Sequence, residues 1–556
     1  MKRQGKLLVT TILVVLVLLT FGALGCGGST TTTGGTDSTG TTVSTDTTGT
    51  TSSEEPVTLF ASRNNDPRSM DPADEITGTG GLESQVAFYE RLINIVDETG
   101  TMEPGLAESW EVSEDGLTYT FELRKGVKFH DGTEFDAEAV RFTWERIMGI
   151  GTGAAQYWQV VEDIEIVDDY TVDIKLKNVS PTFLATLGGQ RGIYMGPSPA
   201  AVKENEKTPG DWAVDYFVDH ECGTGPYTLV SWTHDQELVY EKFDDYWRGW
   251  DGQHVDQIVH RIVKEPATIR LLLERGEIDI AADDLAISLA TEMEGQGDIV
   301  LDVAPTTMLT HITFNLDNGP TADVRVRQAI AMLFDYDAAI EGAYRGYAKR
   351  VYGPIPSSVW PAIPAEAQRY DQNVEEAKKL LAEAGYADGF TLDLACMDMY
   401  DYKTIVQILQ QSLAEANITV NAEFTTWPVL FEKLQQPKGQ KPFGMAAYQM
   451  WAAIPDPSDI LMWWHTDAIT VINPGWGTPE TDKLIDDANA TLDQAERESL
   501  YSELIVKMNE DCPAINVAEM QHIMVYNDWV KGYKYIPYYN GLVNWYELYI
   551  EGKPVN

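Results

Sequence analysis

The chain has 556 residues, 44% of them hydrophobic and 10% aromatic, enough for a large buried core in roughly two to four structural units. Its 40 Lys and Arg stand against 86 Asp and Glu, a formal net charge of -46. So acidic a surface excludes a nucleic-acid partner, whose phosphates need a basic face, and disfavours broad docking on anionic lipid.

The N-terminus carries the first short signal. Lys2, Arg3 and Lys6 precede an apolar run over residues 7–24, which ends at Gly25 and Cys26. This is the layout of a secretory signal peptide. Cys26 after a small residue resembles a bacterial lipobox, in which the thiol receives diacylglycerol and becomes the new N-terminus. Ala23 stands where the lipobox prefers Leu. Residues 1–26 are therefore expected to be a lipoprotein signal ending at the lipidated Cys26. Residues 27–55, almost wholly Thr, Ser and Gly from 29 onward, cannot bury enough apolar surface to fold and read as a flexible tether. The body keeps three cysteines, Cys222, Cys396 and Cys512. An export route permits one disulfide among them and leaves one thiol over. Neither these cysteines nor the eight scattered histidines have zinc-site spacing, so no metal and no cofactor are expected.

From residue 57 strands and helices alternate without a short repeat, which predicts an α/β class. Residues 117–124 alternate apolar and polar as a half-buried strand. Asp136 caps a helix carrying Ala137, Val140, Trp144 and Ile147 on one face. Ile269, Leu272 and Leu273 share a helical face, Gly276 stops that helix, and Ile278 and Ile280 alternate as a strand. Asp323 caps a helix through Val326, Ile330 and Leu333. Residues 375–384 form a helix ending at Gly385, and residues 405–416 another, followed by a strand over 418–424. From Met524 the chain is rich in Tyr and Trp and reads as strands and loops.

The run LAESWEVSEDGLTYTFELRKGVKFHDG at 106–132 closely resembles the signature of family 5 bacterial solute-binding proteins, the peptide, dipeptide and nickel binders of ABC importers. Similar blocks follow in order at 223–227, 245–249, 272–280, 314–330 and 377–386, and at Trp451 with Asp456 and Pro457. The resemblance spans about residues 57–550. It implies a periplasmic-binding-protein fold of the two-lobe, cluster C type. Lobe I would comprise 56–98, 220–315 and 524–556, with an insert subdomain at 99–219, and lobe II 316–523. The hinge would lie near Asn315 and Val517. Ligand would bind in the cleft between the lobes, and the closed form would present itself to the permease.

The resemblance also implies site residues. Trp427 matches an aromatic position that stacks on bound peptide, and Tyr448 and Trp451 match pocket-lining positions. Family members that bind peptides carry an Asp three residues after the second Trp, to pair with the peptide ammonium; here that position is Ile454. Asp456 could slide into the role, or serve as turn chemistry with Pro457. Arg63 and Arg68 fall in a segment that resembles the cleft mouth, where an Arg could meet a carboxylate, and Tyr194 in the insert could edge the cleft. The expected partners are a peptide or peptide-like solute, the ABC permease subunits and the membrane through the lipid anchor, with the chain a monomer. The chain contains no His-Glu-x-x-His, no Gly-x-Ser-x-Gly elbow and no phosphate-binding P-loop, so it is read as a binding protein and not an enzyme. The alternatives are a secreted hydrolase using a carboxylate pair, or a binder of a non-peptide ligand such as an oligosaccharide, an opine or a metal chelate.

Overall fold

The computed structural model describes residues 56–74, 79–190, 194–282, 285–437, 439–468, 475–539 and 541–554. The signal segment, Cys26 and the 27–55 tether lie outside the described residues. Eleven strands form the main sheet. In chain order they are β1 Thr58–Arg63, β2 Tyr227–Thr233, β3 Glu237–Lys242, β4 Gln257–Ile262, β5 Ile280–Ala281 and β6 Ile299–Phe314, then β7 Ala348–Arg350, β8 Thr391–Met397, β9 Thr419–Thr425, β10 Met445–Trp451 and β11 Ala514–Asn527. Their spatial order is β9-β8-β10-β6-β11-β5-β1-β4-β3-β2, with β7 added on β11. Residue 280 of β5 pairs with 526 of β11, and β1 runs parallel to β4 and β5. On the other side β10 is antiparallel to β6 and parallel to β8.

The elements follow from local chemistry. Asp136 accepts the Ala139 N–H at the start of the helix Ala137–Ile150, Asp323 accepts from Arg325 at Val324–Leu333, and Asn373 accepts from Glu376 at Val374–Glu383. Each satisfies an amide that the first turn leaves without a partner. The helix Pro266–Glu274 hands over to β5 through Gly276, whose φ of +67° is the left-handed conformation that glycine adopts cheaply.

The two halves of the sheet share only β6 and β11. Residues 299–305 of β6 pair with 521–527 of β11, which also holds β5 of the first half. Residues 309–313 pair with 514–519, and 308–314 pair with β10 of the second half. The register breaks between Pro305 and Leu309 and again after Thr310. Pro305 has no N–H for a ladder, which suits a break. The crossing between lobes therefore lies at residues 305–310 and 519–521, earlier in β6 than the boundary expected at Asn315. Asn315 sits well inside lobe II, where its N–H bonds the Gly444 carbonyl at 2.9 Å and its amide the Phe443 carbonyl at 2.9 Å. Val517 is fully buried in a core cluster that runs from Ile269 and Leu273 beside the first half of the sheet to Val326 and Ile330 beside the second.

The insert forms its own antiparallel sheet, in the order Ala107–Val112, Thr118–Leu123, Thr171–Leu176, Val161–Asp168. Its core also takes in Ala73, Leu92, Ile93 and Cys222, which fuses it to lobe I. Cys222, Cys396 and Cys512 are all buried free thiols, so no disulfide joins them. Among the described residues no helix is long and apolar enough to cross a membrane.

Candidate functional site

The lobes meet along a seam next to the crossing strands. On lobe II the seam is the loop that leaves β10. Its Ala453 N–H is held by the Asp459 carboxylate at 2.6 Å, and its Ser458 N–H by Asp456 at 3.0 Å. Asp456 is buried and forms a bidentate pair with Arg497, at 2.7 and 2.9 Å. Arg497 spends its Nε on the Ala488 carbonyl at 2.8 Å. Asp456 thus anchors the loop to the helix Gln494–Asp511, and its carboxylate is committed within lobe II. The expectation that it could meet a ligand amine gives way to the turn and ion-pair role.

Ile454 is buried and faces the insert. A Cβ built on Gly189 would stand 2.7 Å from its Cγ2 and 2.6 Å from the Ala453 carbonyl, so only glycine permits this approach. The Gln190 N–H donates to the same Ala453 carbonyl at 3.3 Å. Pro455 lies against Gly100 in the same way, 2.5 Å from where a Cβ would sit. Near the C-terminus Tyr538 donates to both the Glu98 and Ser358 carbonyls, at 3.2 and 3.3 Å, bridging the lobes. Thr307 in the crossing segment donates to the Ala452 carbonyl at 2.7 Å. Glu519, the carboxylate on the crossing part of β11, is buried and takes the Ser357 N–H and hydroxyl at 2.7 and 2.9 Å. The lobes are closed on one another, and these seam carboxylates are already satisfied by the protein.

Trp427 opens the helix Trp427–Leu434 and is 36% exposed. Its ring centroid lies 5.5 Å from Phe431 and 6.4 Å from Tyr448. Tyr448 is fully buried in the middle of β10, with Thr313 the polar side chain nearest its hydroxyl. Burial raises its phenol far above the ordinary value, so it stays a neutral donor. Trp427 and Tyr448 therefore form one aromatic corner, an accessible ring face beside a buried phenol. Trp451 is three residues beyond Tyr448 on the same strand, and strand alternation puts it on the opposite face with Gln449.

The remaining expected residues stand elsewhere. Arg63 is wholly buried in lobe I, bonded to Glu83 at 2.6 Å and Ser84 at 3.0 Å, so it is not a cleft-mouth cation. Arg68 is exposed and paired with Asp74 at 3.1 Å. Tyr194 is buried beneath Arg91, which donates to its hydroxyl and lies 4.1 Å over its ring. Burial pushes the Tyr194 phenol up to about 12 despite the opposing pull of Arg91. Sequence reasoning missed Arg91, Gly189 and the pair Tyr538 and Tyr539. The aromatic richness after Met524 was the one available pointer to the last two. Among the described residues no group of three His, Cys, Asp or Glu could hold a metal ion.

Comparison with known proteins completes the description. Residues 101–470 match the model for "Bacterial extracellular solute-binding proteins, family 5 Middle". The chain is 28% identical over 518 residues to the heme-binding protein A of Haemophilus influenzae, covering 88% of this chain and 91% of that one. It is 30% identical over 485 residues to the glutathione-binding protein GsiB of Pectobacterium atrosepticum, covering 84% and 90%. Among solved structures, the ABC transporter-associated periplasmic binding protein DppA of Helicobacter pylori, in complex with the peptide STSA, superposes with a TM-score of 0.75 at 27% identity. That match covers 89% of this chain and 99% of the other.

Proposed function

We propose that this chain, which belongs to family 5 of the bacterial extracellular solute-binding proteins, binds a peptide or peptide-like solute between its lobes and delivers it to the permease of an ABC importer. It does so as a monomer tethered to the membrane through a lipid on Cys26, on the extracytoplasmic face. Trp427 and Tyr448 would contact the solute, Trp451 lies on the other face of its strand, and Asp456, Arg63, Arg68 and Tyr194 serve the scaffold. Relatives that carry glutathione or the peptide STSA support the peptide-like class.

The observation that carries the ligand reading is the neutral seam loop. Ile454 is buried where an ammonium-binding carboxylate would stand, and Asp456 and Asp459 are both engaged inside the loop. A ligand ammonium buried there would be left unpaired, at a cost of several kcal/mol. The reading therefore favours a peptide whose amino end is blocked, or is placed away from this loop, with an amphipathic body stacked on Trp427.

The test is native mass spectrometry of the chain purified without refolding, followed by calorimetry with the species released. A peptide-like molecule lacking an unmodified α-amine supports the reading. Ordinary linear peptides with free amino termini would overturn the ligand class. A heme or a metal chelate would place the chain with the non-peptide binders. Detergent partitioning of the wild type, lost in Cys26→Ser, checks the anchor.

A further inference from the structure

Among the described residues five arginines expose less than a tenth of their surface: Arg63, Arg91, Arg146, Arg327 and Arg497. A guanidinium does not give up its proton, so each must be compensated where it lies. Arg63 has Glu83. Arg146 holds Asp71 in a bidentate pair at 2.8 and 2.6 Å. Arg497 holds Asp456 in the same way. Arg327 donates to four backbone carbonyls, those of Thr321, Ala322, Asp511 and Cys512.

Arg91 is the exception. It is 5% exposed, and its one hydrogen bond runs from Nη2 to the Tyr194 hydroxyl. Its Nε is buried without a partner, and no carboxylate among the described residues pairs with it. Its guanidinium is sandwiched instead between the rings of Tyr194 and Tyr539, at 4.1 and 4.6 Å. Two such ring contacts do not by themselves offset the desolvation of a buried ion.

Arg91 lines a cavity of about 320 Å³ in lobe I, walled also by Asn94, Tyr246, Arg248, Lys534 and Tyr539. At about 30 Å³ per water this is room for about ten waters, or one small organic molecule. The acidic groups on its wall are otherwise engaged or outward. Glu90 accepts from Tyr246, Trp247 and Thr224, Glu547 pairs with Arg248 at 3.0 Å, and Glu103 is exposed. The cavity belongs to lobe I and does not include the aromatic corner of Trp427 and Tyr448.

We propose that this lobe I cavity is a second ligand site, which takes a small organic carboxylate whose oxygens accept from the Arg91 guanidinium between the two tyrosine rings. The planar fork of Arg matches a carboxylate with two donors, and the flanking rings fix the plane in which it is presented. The aromatic walls then cover the ligand's apolar part.

The test is isothermal titration of the purified chain with sodium benzoate and sodium succinate, against sodium chloride at matched ionic strength. The chloride control matters because a chain of net charge -46 gains stability from any added cation. Saturable heat from a carboxylate, absent for chloride, is expected. Arg91→Lys keeps the charge and loses the fork, and should weaken binding at least tenfold; Arg91→Met should abolish it. No saturable heat from either carboxylate up to about 10 mM would overturn the proposal on the wild type alone, whether or not the variants fold. Binding that survives Arg91→Lys and Arg91→Met unchanged would overturn it too, as would binding of inorganic phosphate with none of the carboxylates.

Discussion

Removing the Asp456 carboxylate strands Arg497, which is buried and has no second anion. In Asp456→Ala the guanidinium keeps its bond to the Ala488 carbonyl and its place 5.0 Å from the Trp360 ring, and loses both bonds to Asp456. Breaking a buried pair from one side costs about 3–5 kcal/mol, because the remaining charge stays desolvated. The same substitution removes the acceptor for the Ser458 N–H, adding about 1 kcal/mol. At about 2.1 cal/mol/K per residue, a loss near 5 kcal/mol lowers the midpoint by about 5 °C if some 500 residues unfold together, and by about 12 °C if a lobe of some 200 unfolds alone.

Arg497→Met should cost a similar amount. The double variant Asp456→Ala with Arg497→Met should be more stable than the sum of the single losses predicts, since it leaves no unpaired ion. Thermal unfolding followed by circular dichroism measures all three, with calorimetry on the natural ligand beside it. The reasoning fails if Asp456→Ala leaves the midpoint within a degree of wild type and abolishes ligand binding. That pair of results would make Asp456 a ligand contact instead of a loop anchor.

Three further outcomes are expected. Burial raises Glu90 from the ordinary 4.5 to about 7, opposed by donors from Trp247, Tyr246 and Thr224 and by the charge of Arg248. Its raised folded value means stability is fullest below about pH 4.5 and is lost as pH rises to about 7; Glu90→Gln should flatten that decline and gain about 3 kcal/mol at pH 8, read from denaturant midpoints across pH. Ile454→Asp should lower the midpoint, because the new carboxylate is buried against the Ala453 carbonyl, and raise affinity for free-amine peptides over their N-acetyl counterparts; equal affinity for the two sets in calorimetry would discard the ammonium argument. Trp427→Ala, at a partly exposed helix start, should weaken the natural ligand about tenfold or more with a midpoint shift under a few degrees, and unchanged affinity would remove Trp427 from the site.

What was legible in the sequence was local. Asp136 and Asp323 announce their helices because a cap needs only its own first turn, and Gly276 announces a stop because one residue carries the left-handed bend. The family signature over 106–132 carried the fold class, since the alternation of residues 118–123 and the following capped helix are the insert's own sheet and helix. The partners of single charges were not legible. Asp456 meets Arg497 across 41 residues, and Arg91 meets Tyr194 across 103; no local pattern encodes either pairing. The change of strand partner along β6 was not legible for the same reason. β6 is one uninterrupted strand of 16 residues, and only its change of partner marks the boundary. Pro305 inside that strand was the residue that could have pointed to it.

The seam explains why a ligand decides whether such a molecule stays closed. Among the described residues the direct polar links between the lobes are few: Gln190 to Ala453 and Tyr538 to Ser358, each at 3.3 Å, at the seam, and Arg345 to the Ser288 carbonyl and Thr291 hydroxyl at 3.2 and 3.1 Å, with Tyr347 to Glu294 at 3.5 Å, beside the crossing strands. Each is worth about 1 kcal/mol net. The glycine contacts at Gly100 and Gly189 add close packing, and no ion pair between described residues spans that loop. Shifting a two-state equilibrium from 1:99 to 99:1 takes about 5.5 kcal/mol of preference for one state. These few hydrogen bonds and a patch of apolar contact do not by themselves supply that preference when the cleft is filled with water. A solute held on the aromatic corner, as proposed above, would supply the difference only if it also touched the opposite lobe, because contacts to one lobe alone are made equally well in the open form. The loop around Ile454, whose Asp456 holds Arg497 and whose Asp459 holds the Ala453 N–H, then sets the kind of solute that can do so: one whose burial against Ile454 carries no unpaired charge.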